Sequence, residues 1–145
     1  MNLTPGETRI VHALVRAALG PVDPPPEATA VAAAVGRMLD DMFPADRRLT
    51  RLAFHLLNLS PAVYLRGRNL TGLTNGDAVH HFERLSASRV PPLRRLARIG
   101  KTIAAYAYYG LPEAWPKIAY DGPWIGRVVV ESLPEPELAR REVGE

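Results

Sequence analysis

The sequence predicts an all-α fold, about six helices in a compact bundle that ends in an irregular aromatic segment and a flexible acidic tail. Three observations predict it. Apolar residues recur at helical spacing through most of the first 109 residues. No strand-period run of any length precedes Arg127, and Val128-Val129-Val130 is a short β-branched cluster. Proline or glycine marks nearly every interval between the apolar-periodic segments. With 145 residues the chain is read as one helical domain, 1–124, followed by a C-terminal extension, 125–145.

The elements follow in order. Thr4-Pro5-Gly6-Glu7 has the form of a helix start, with Thr4 as N-cap, Pro5 at the first helical position and Glu7 completing a capping box. Ile10, Leu14, Ala17 and Ala18 continue it at helical spacing, and Gly20-Pro21 stops it. Val22-Asp23-Pro24-Pro25-Pro26 is a stiff connector. A second helix is predicted over 27–42, with Val31, Val35, Met38, Leu39 and Met42 on one face. After the break at Phe43-Pro44, a third helix turns Leu49, Leu52, Ala53, Leu56 and Leu57 inward and ends near Asn58 or Leu59. Ser60-Pro61 starts a short fourth helix over 62–65, and 66–72 is a loop. Thr74 and Asp77 form a capping-box variant that opens a fifth helix, with Val79, Phe82 and Leu85 inward. Pro91-Pro92 introduces the longest helix, whose apolar stripe is Leu93, Leu96, Ile99, Ile103, Tyr106 and Ala107, and Gly110 ends it.

Composition removes several classes of chemistry. With no cysteine there is no disulfide, thiolate metal site or cysteine nucleophile. The N-terminal residues show no basic region followed by an apolar run, and no stretch approaches the roughly 18 apolar residues of a membrane span. A cytoplasmic location is the expectation. The net charge of +3 is unevenly spread: from Glu131 onward five glutamates face two arginines, which leaves the preceding residues at about +6.

No catalytic constellation is legible: there is no nucleophile elbow, no phosphate-binding glycine loop and no pair of acid/base carboxylates. His80 and His81 are adjacent on a helix and point about 100° apart, so they do not share one metal ion with good geometry. They are read as structural or solvent-facing, and no metal is expected. Arg94, Arg98 and Lys101 recur at four and three residues and make a positive stripe. That stripe is either a solvated helix face or a docking face for an acidic partner or a membrane surface. Nucleic acid is disfavoured, since no helix-turn-helix spacing accompanies it.

The stretch 106–124 holds four of the five tyrosines and both tryptophans, among glycine and proline turns and little charge. Such a segment either closes the chain's own core or grips a partner, because Tyr and Trp combine a large apolar body with a polar handle. Tyr106, and with it Tyr109, is expected to continue the inward stripe of the long helix. The part beyond Gly110, which lacks helical periodicity, is the expected interface.

The pattern Tyr108-Tyr109-Gly110-x-Pro112-x-x-Trp115-x-x-Ile118-x-Tyr120-x-Gly122-Pro123 resembles the end of the small helical subunits of the gluconate 2-dehydrogenase subunit 3 type. These accompany glucose–methanol–choline flavoprotein oxidoreductases, and a similar segment precedes the flavoprotein domain of long-chain fatty alcohol oxidases. The resemblance spans roughly residues 4–124, with only 106–123 motif-like. It implies a non-catalytic companion of a large flavoprotein subunit, with FAD and the catalytic base in that partner and no cofactor in this chain. It implies a contact segment of Tyr108, Tyr109, Pro112, Trp115, Ile118, Tyr120, Gly122, Pro123 and Trp124. Secreted relatives commonly carry a twin-arginine signal, which is not seen ahead of the first helix, so an intracellular role is expected. The substrate of such a complex would be a lipophilic alcohol or sterol. The competing reading is a stand-alone helical protein that holds a lipophilic ligand or a membrane surface.

Overall fold

Local sequence signals account for most of the helix ends. The computed structural model describes residues 2–63 and 67–119. Among them are five α-helices, α1 (Pro5–Leu19), α2 (Ala28–Asp40), α3 (Pro44–Leu59), α4 (Asn75–Ser86) and α5 (Pro91–Tyr109), and a seven-residue 3-10 helix, Pro112–Ile118. Short 3-10 turns at Ser60–Val63 and Leu70–Gly72 lie between α3 and α4. No strand occurs among the described residues, and the all-α class holds.

α1 begins with the full capping box. The Thr4 hydroxyl accepts the Glu7 N–H at 3.2 Å, and the Glu7 carboxylate accepts the Thr4 N–H at 2.8 Å. Glu7 is itself buried and meets Arg51 of α3 at 3.4 Å, so the cap also ties α1 to α3. Gly20 closes the helix at φ +73°, a conformation that costs other residues more, and its N–H reaches the Arg16 carbonyl. α2 lacks a glycine stop. Its end is held instead by Arg47 of α3, whose guanidinium donates to the carbonyls of Leu39 at 2.8 Å, Asp40 at 3.2 Å and Met42 at 3.3 Å. This satisfies carbonyls that the end of a helix leaves without intrahelical partners. At the start of α4 the Thr74 hydroxyl accepts the Asp77 N–H and donates to the Asp77 carboxylate at 2.9 Å.

α1 is the axis of the bundle and packs against each of the other four α-helices. Val11, Leu14 and Val15 have no exposed surface. Three helices crowd Gly100 of α5. A Cβ placed there would lie 3.0 Å from Leu57 Cδ1, 3.2 Å from Leu14 Cδ1 and 3.3 Å from Phe82 Cε2, so α1, α3 and α4 all converge on one missing side chain.

Several expectations about which side faces inward are corrected. In α3 the buried residues are Ala53, Phe54 and Leu57, whereas Leu49, Leu52 and Leu56 are 64%, 52% and 47% exposed. The helix carries two apolar faces, and the bundle uses the one bearing Phe54. In α5 the buried set is Ala97, Gly100, Ile103, Ala104, Ala107 and Tyr108. Ile99 and Tyr106, expected inside, are exposed, and Leu93 and Leu96 are half-buried. Small residues on the inward face let α5 approach α1 closely, which the larger side chains would prevent. Val79 of α4 is half-buried rather than fully inward, and His81 takes a core position.

Two stretches between α3 and α4 differ from expectation. The expected loop contains the Leu70–Gly72 turn, which places Leu70 in the core at 1% exposure. The expected short helix over 62–65 is instead a 3-10 turn at Ser60–Val63, and Leu65 lies outside the described residues. The extension 125–145, with Val128-Val129-Val130 and the acidic tail, also lies outside them.

Candidate functional site

The aromatic stretch folds back on the proline connector. Tyr108, near the end of α5, is 4% exposed and donates its hydroxyl to the Pro24 carbonyl at 3.3 Å. Lys117 of the 3-10 helix pairs with Asp23 at 2.9 Å. From the other side, His12 of α1 donates Nε2–H to the Pro26 carbonyl at 3.2 Å. Three elements thus hold one connector, whose prolines donate no N–H and whose carbonyls therefore serve as acceptors for side chains. Burial pushes the Tyr108 phenol above its ordinary value, with Tyr109 and Asp23 adding to the effect. The hydrogen bond to Asp23 raises Lys117, whose ammonium remains in solvent.

Pro112–Ile118 is a 3-10 helix, not the irregular path expected from its prolines. Pro112 opens it, where a missing N–H costs little. Pro116 is tolerated within it, and the helix ends at Ala119, which adopts the left-handed conformation at φ 52°. Leu111 and Ala114 point into the core at 7% and 1% exposure, and the Trp115 indole N–H donates to the Tyr109 carbonyl at 3.0 Å. The stretch therefore has its own inward set, Tyr108, Leu111 and Ala114. Its outward set is Tyr106, Tyr109, Pro112, Pro116 and Ile118, with Trp115 half-buried at the margin. The Tyr108 and Tyr109 rings meet edge to face with centroids 5.2 Å apart, one in the core and one outside.

This distribution corrects two expectations. Tyr108 is not available as a contact residue, because its ring is inside and its hydroxyl is engaged. The division between platform and outward surface does not fall at Gly110; it runs along the whole stretch, residue by residue. Tyr109, Pro112 and Ile118 are the predicted contact positions that the structure leaves at the surface. Tyr120, Gly122, Pro123 and Trp124 lie outside the described residues. Asp23, Pro24 and Lys117, which anchor the stretch, have no local sequence signal, since their partners are distant in the chain.

The basic positions Arg94, Arg98 and Lys101 are all exposed on α5, and Arg94 donates to the Ser88 carbonyl at 3.2 Å. The two histidines separate as their helical positions require. His80 is exposed, while His81 is buried with Nε2 2.9 Å from the Ser60 hydroxyl. The same hydroxyl donates to the Leu57 carbonyl at 2.8 Å, which leaves it to accept from His81. Burial, and then the neighbouring Arg84, lower the His81 pKa. No group of three or more metal-ligating side chains gathers among the described residues. No helix among them is long and apolar enough to cross a membrane.

A separate cleft of about 620 Å³ opens between the end of α1, the connector and the start of α4. Gly20, Pro21, Val22, Pro25 and Val79 supply apolar wall, and Arg16, His80 and Glu83 border it. Comparison of the chain with protein-family models, with curated proteins and with solved structures finds no match.

Proposed function

We propose that the chain is a non-catalytic small subunit that binds and stabilises a large FAD-dependent oxidoreductase of the glucose–methanol–choline type. The observation that carries this reading is the split within 106–118. Tyr108, Leu111 and Ala114 anchor the stretch from inside, and Tyr106, Tyr109 and Ile118 stand at 48%, 41% and 48% exposure on a braced backbone. Aromatic and aliphatic side chains held outward by a stiff support lose little conformational freedom on docking, which favours an interface. The resemblance of the same stretch to the small subunits of flavoprotein oxidoreductases supplies the class of partner. FAD and the reacting groups belong to that partner, and this chain supports its fold and borders the route of a lipophilic alcohol or sterol.

The test is co-expression with a large flavoprotein of this class and affinity capture through the small chain. A yellow, flavin-bearing heteromer is the expected result. Capture of the small chain alone, with the flavoprotein folded and unbound, overturns the reading.

The cleft beside α1 and α4 favours a second reading, a stand-alone protein that holds a lipophilic ligand. Its lining is mostly apolar, with a few polar groups at the border, as small-molecule sites usually are. Concentration-dependent thermal stabilisation by a long-chain alcohol, abolished by Val79→Asp, distinguishes it from the first.

A further inference from the structure

Charge is not spread evenly over the bundle. Residues 1–83 carry eight acidic and eight basic side chains, and 113–130 carry two of each. Between them, 84–112 carry Arg84, Arg89, Arg94, Arg95, Arg98 and Lys101 and no carboxylate, so the whole positive excess ahead of the acidic tail lies in one segment. That segment runs from the last turn of α4 through α5, and all six basic side chains are exposed. The fold gathers them. Arg94 donates to the Ser88 carbonyl at 3.2 Å, and Arg84, Ser88 and Leu93 border one cavity of about 200 Å³, which joins the end of α4 to the start of α5. At about 100° per residue, Arg94, Arg95, Arg98 and Lys101 fall within an arc of about 120°, turned away from the buried Gly100, Ala104 and Ala107. Glu83 borders a groove together with Lys101, and a single carboxylate against six cations leaves the face strongly positive. Apolar groups stand among the cations: Val90 and Ile99 are 50% and 45% exposed, and Pro91 and Pro92 are exposed beside Val90.

We propose that this face docks on an anionic lipid bilayer, with the arginines on headgroup phosphates and Val90 and Ile99 entering just below them. Charge complementarity selects an anionic surface, since the segment holds cations of one sign only. Each basic residue held near such a surface strengthens binding about fivefold. Five of the six cations are arginines, whose planar fork matches phosphate oxygens. A bilayer supplies both what the cations need and what the apolar groups need: a plane of phosphates, and apolar depth beneath it. A nucleic acid supplies the phosphates without that depth. None of the outward side chains of 106–118 takes part, so the face is independent of the reading under Proposed function.

The experiment is co-sedimentation of the full chain with vesicles of phosphatidylcholine and phosphatidylglycerol, with pure phosphatidylcholine vesicles as the comparison. Binding to the mixed vesicles alone is expected, and it should weaken as salt rises from about 0.1 to about 0.5 M, because screening shortens the reach of each charge. Arg95→Gln/Arg98→Gln removes two cations from the face, leaves the Arg94 bond in place, and should weaken binding by about tenfold or more. Arg37→Gln/Arg48→Gln removes the same charge from exposed positions on α2 and α3 and should change binding by less than about twofold. Helical circular dichroism is expected to be unchanged in both. Equal losses in the two double variants, equal binding to both kinds of vesicle, or no binding to either overturns the proposal. Ile99→Ser should also weaken the contact, since a bilayer takes up the apolar side chain and a purely ionic contact does not. Full-strength binding by this variant, or tighter binding of duplex DNA than of vesicles at the same salt, assigns the face to another polyanion and overturns the proposal. Vesicle binding that emerges only when Glu131, Glu135, Glu137, Glu142 and Glu145 are replaced by glutamine means that the tail of the same chain covers the face, and overturns it as well.

Discussion

The Tyr108 hydroxyl donates to the Pro24 carbonyl across 84 residues of sequence, joining the end of the longest helix to the connector between the first two. The ring contributes apolar burial, and the hydroxyl satisfies a carbonyl in a proline-rich run. The two effects separate by substitution. Tyr108→Phe keeps the ring and is expected to cost about 1 kcal/mol, the usual net value of one hydrogen bond. Tyr108→Ala also opens a cavity and should cost about 3–5 kcal/mol. Urea unfolding followed by far-ultraviolet circular dichroism measures both, and equal losses would mean that the ring contributes nothing.

Gly100 makes a sharper test of packing. Gly100→Ala gains about 1 kcal/mol of helix propensity but pushes against Leu57, Leu14 and Phe82 at 3.0–3.3 Å at once. Overpacking of this kind costs about 1–3 kcal/mol, so the alanine variant is expected to lose about 1 kcal/mol net. Gly100→Val lacks most of the propensity gain and adds two methyl groups, so its melting temperature should fall well below that of Gly100→Ala. A valine variant as stable as wild type would show that the helices separate at this point without cost.

His81 makes stability depend on pH in a defined direction. Its folded-state pKa lies below the ordinary 6.5, chiefly through burial. The unfolded chain therefore takes up the proton first as pH falls through 6.5, and folding stability declines from there until the folded form also protonates. Melting temperatures measured from pH 8 to pH 5 should drop over this window in wild type and drop less in His81→Gln. A stability that rises on acidification, or an equal slope in the variant, would contradict the assignment.

How far these features were legible differs between the ends of the helices and their faces. Thr4 with Glu7, Gly20, and Thr74 with Asp77 act on neighbours within four residues, so the sequence alone locates them. The inward face of α3 was legible only in part: Ala53 and Leu57 are buried as read, but the leucines at 49, 52 and 56 were grouped with them and Phe54 was missed. Periodicity finds apolar faces but does not say which one another helix covers. In α5 Ile103 and Ala107 are buried as read, whereas Ile99 and Tyr106 are exposed, and the small residues Ala97, Gly100 and Ala104, which carry no strong hydropathy signal, complete the buried face. The prolines at 112 and 116 pointed to an irregular path over that stretch. They leave a 3-10 helix open, and the buried pair Leu111 and Ala114 stabilises it. The bonds from Tyr108 and Lys117 to the connector are long-range, and nothing in local sequence encodes them.

The N-terminal cap separates a local effect from a tertiary one. Thr4→Ala removes the hydroxyl that accepts the Glu7 N–H and should cost about 1 kcal/mol. Glu7→Ala removes the reciprocal bond and also leaves Arg51, 31% exposed at its side chain, without the carboxylate it faces. Its cost should exceed that of Thr4→Ala by about 1–2 kcal/mol, since a partly buried charge loses its counterpart. Denaturant midpoints of the two single variants and the double decide the matter. The Glu7 backbone N–H that the Thr4 hydroxyl accepts is still present in Glu7→Ala, so the two losses should add to within about 0.5 kcal/mol, whereas a double variant no worse than Glu7→Ala would show that the hydroxyl bond forms only when the carboxylate closes the box.

The outward side of the aromatic stretch should behave oppositely to its inward side. Ile118→Ser is expected to change stability by no more than about 0.5 kcal/mol, and Tyr109→Ser, which also gives up its edge-to-face contact with Tyr108, by about 0.5–1.5 kcal/mol. Leu111→Ala, at an inward position of the same stretch, should cost about 2–5 kcal/mol. Under the proposed accessory role, the order reverses in capture of the flavoprotein partner: the two outward variants weaken it at least tenfold when combined, a loss of about 1.4 kcal/mol. Leu111→Ala, measured below its melting transition, should retain most of the capture. Thermal melts and affinity capture on the same three proteins supply both readouts. If capture follows stability across the set, the outward side chains are not the contact, and the stretch serves only to close the fold.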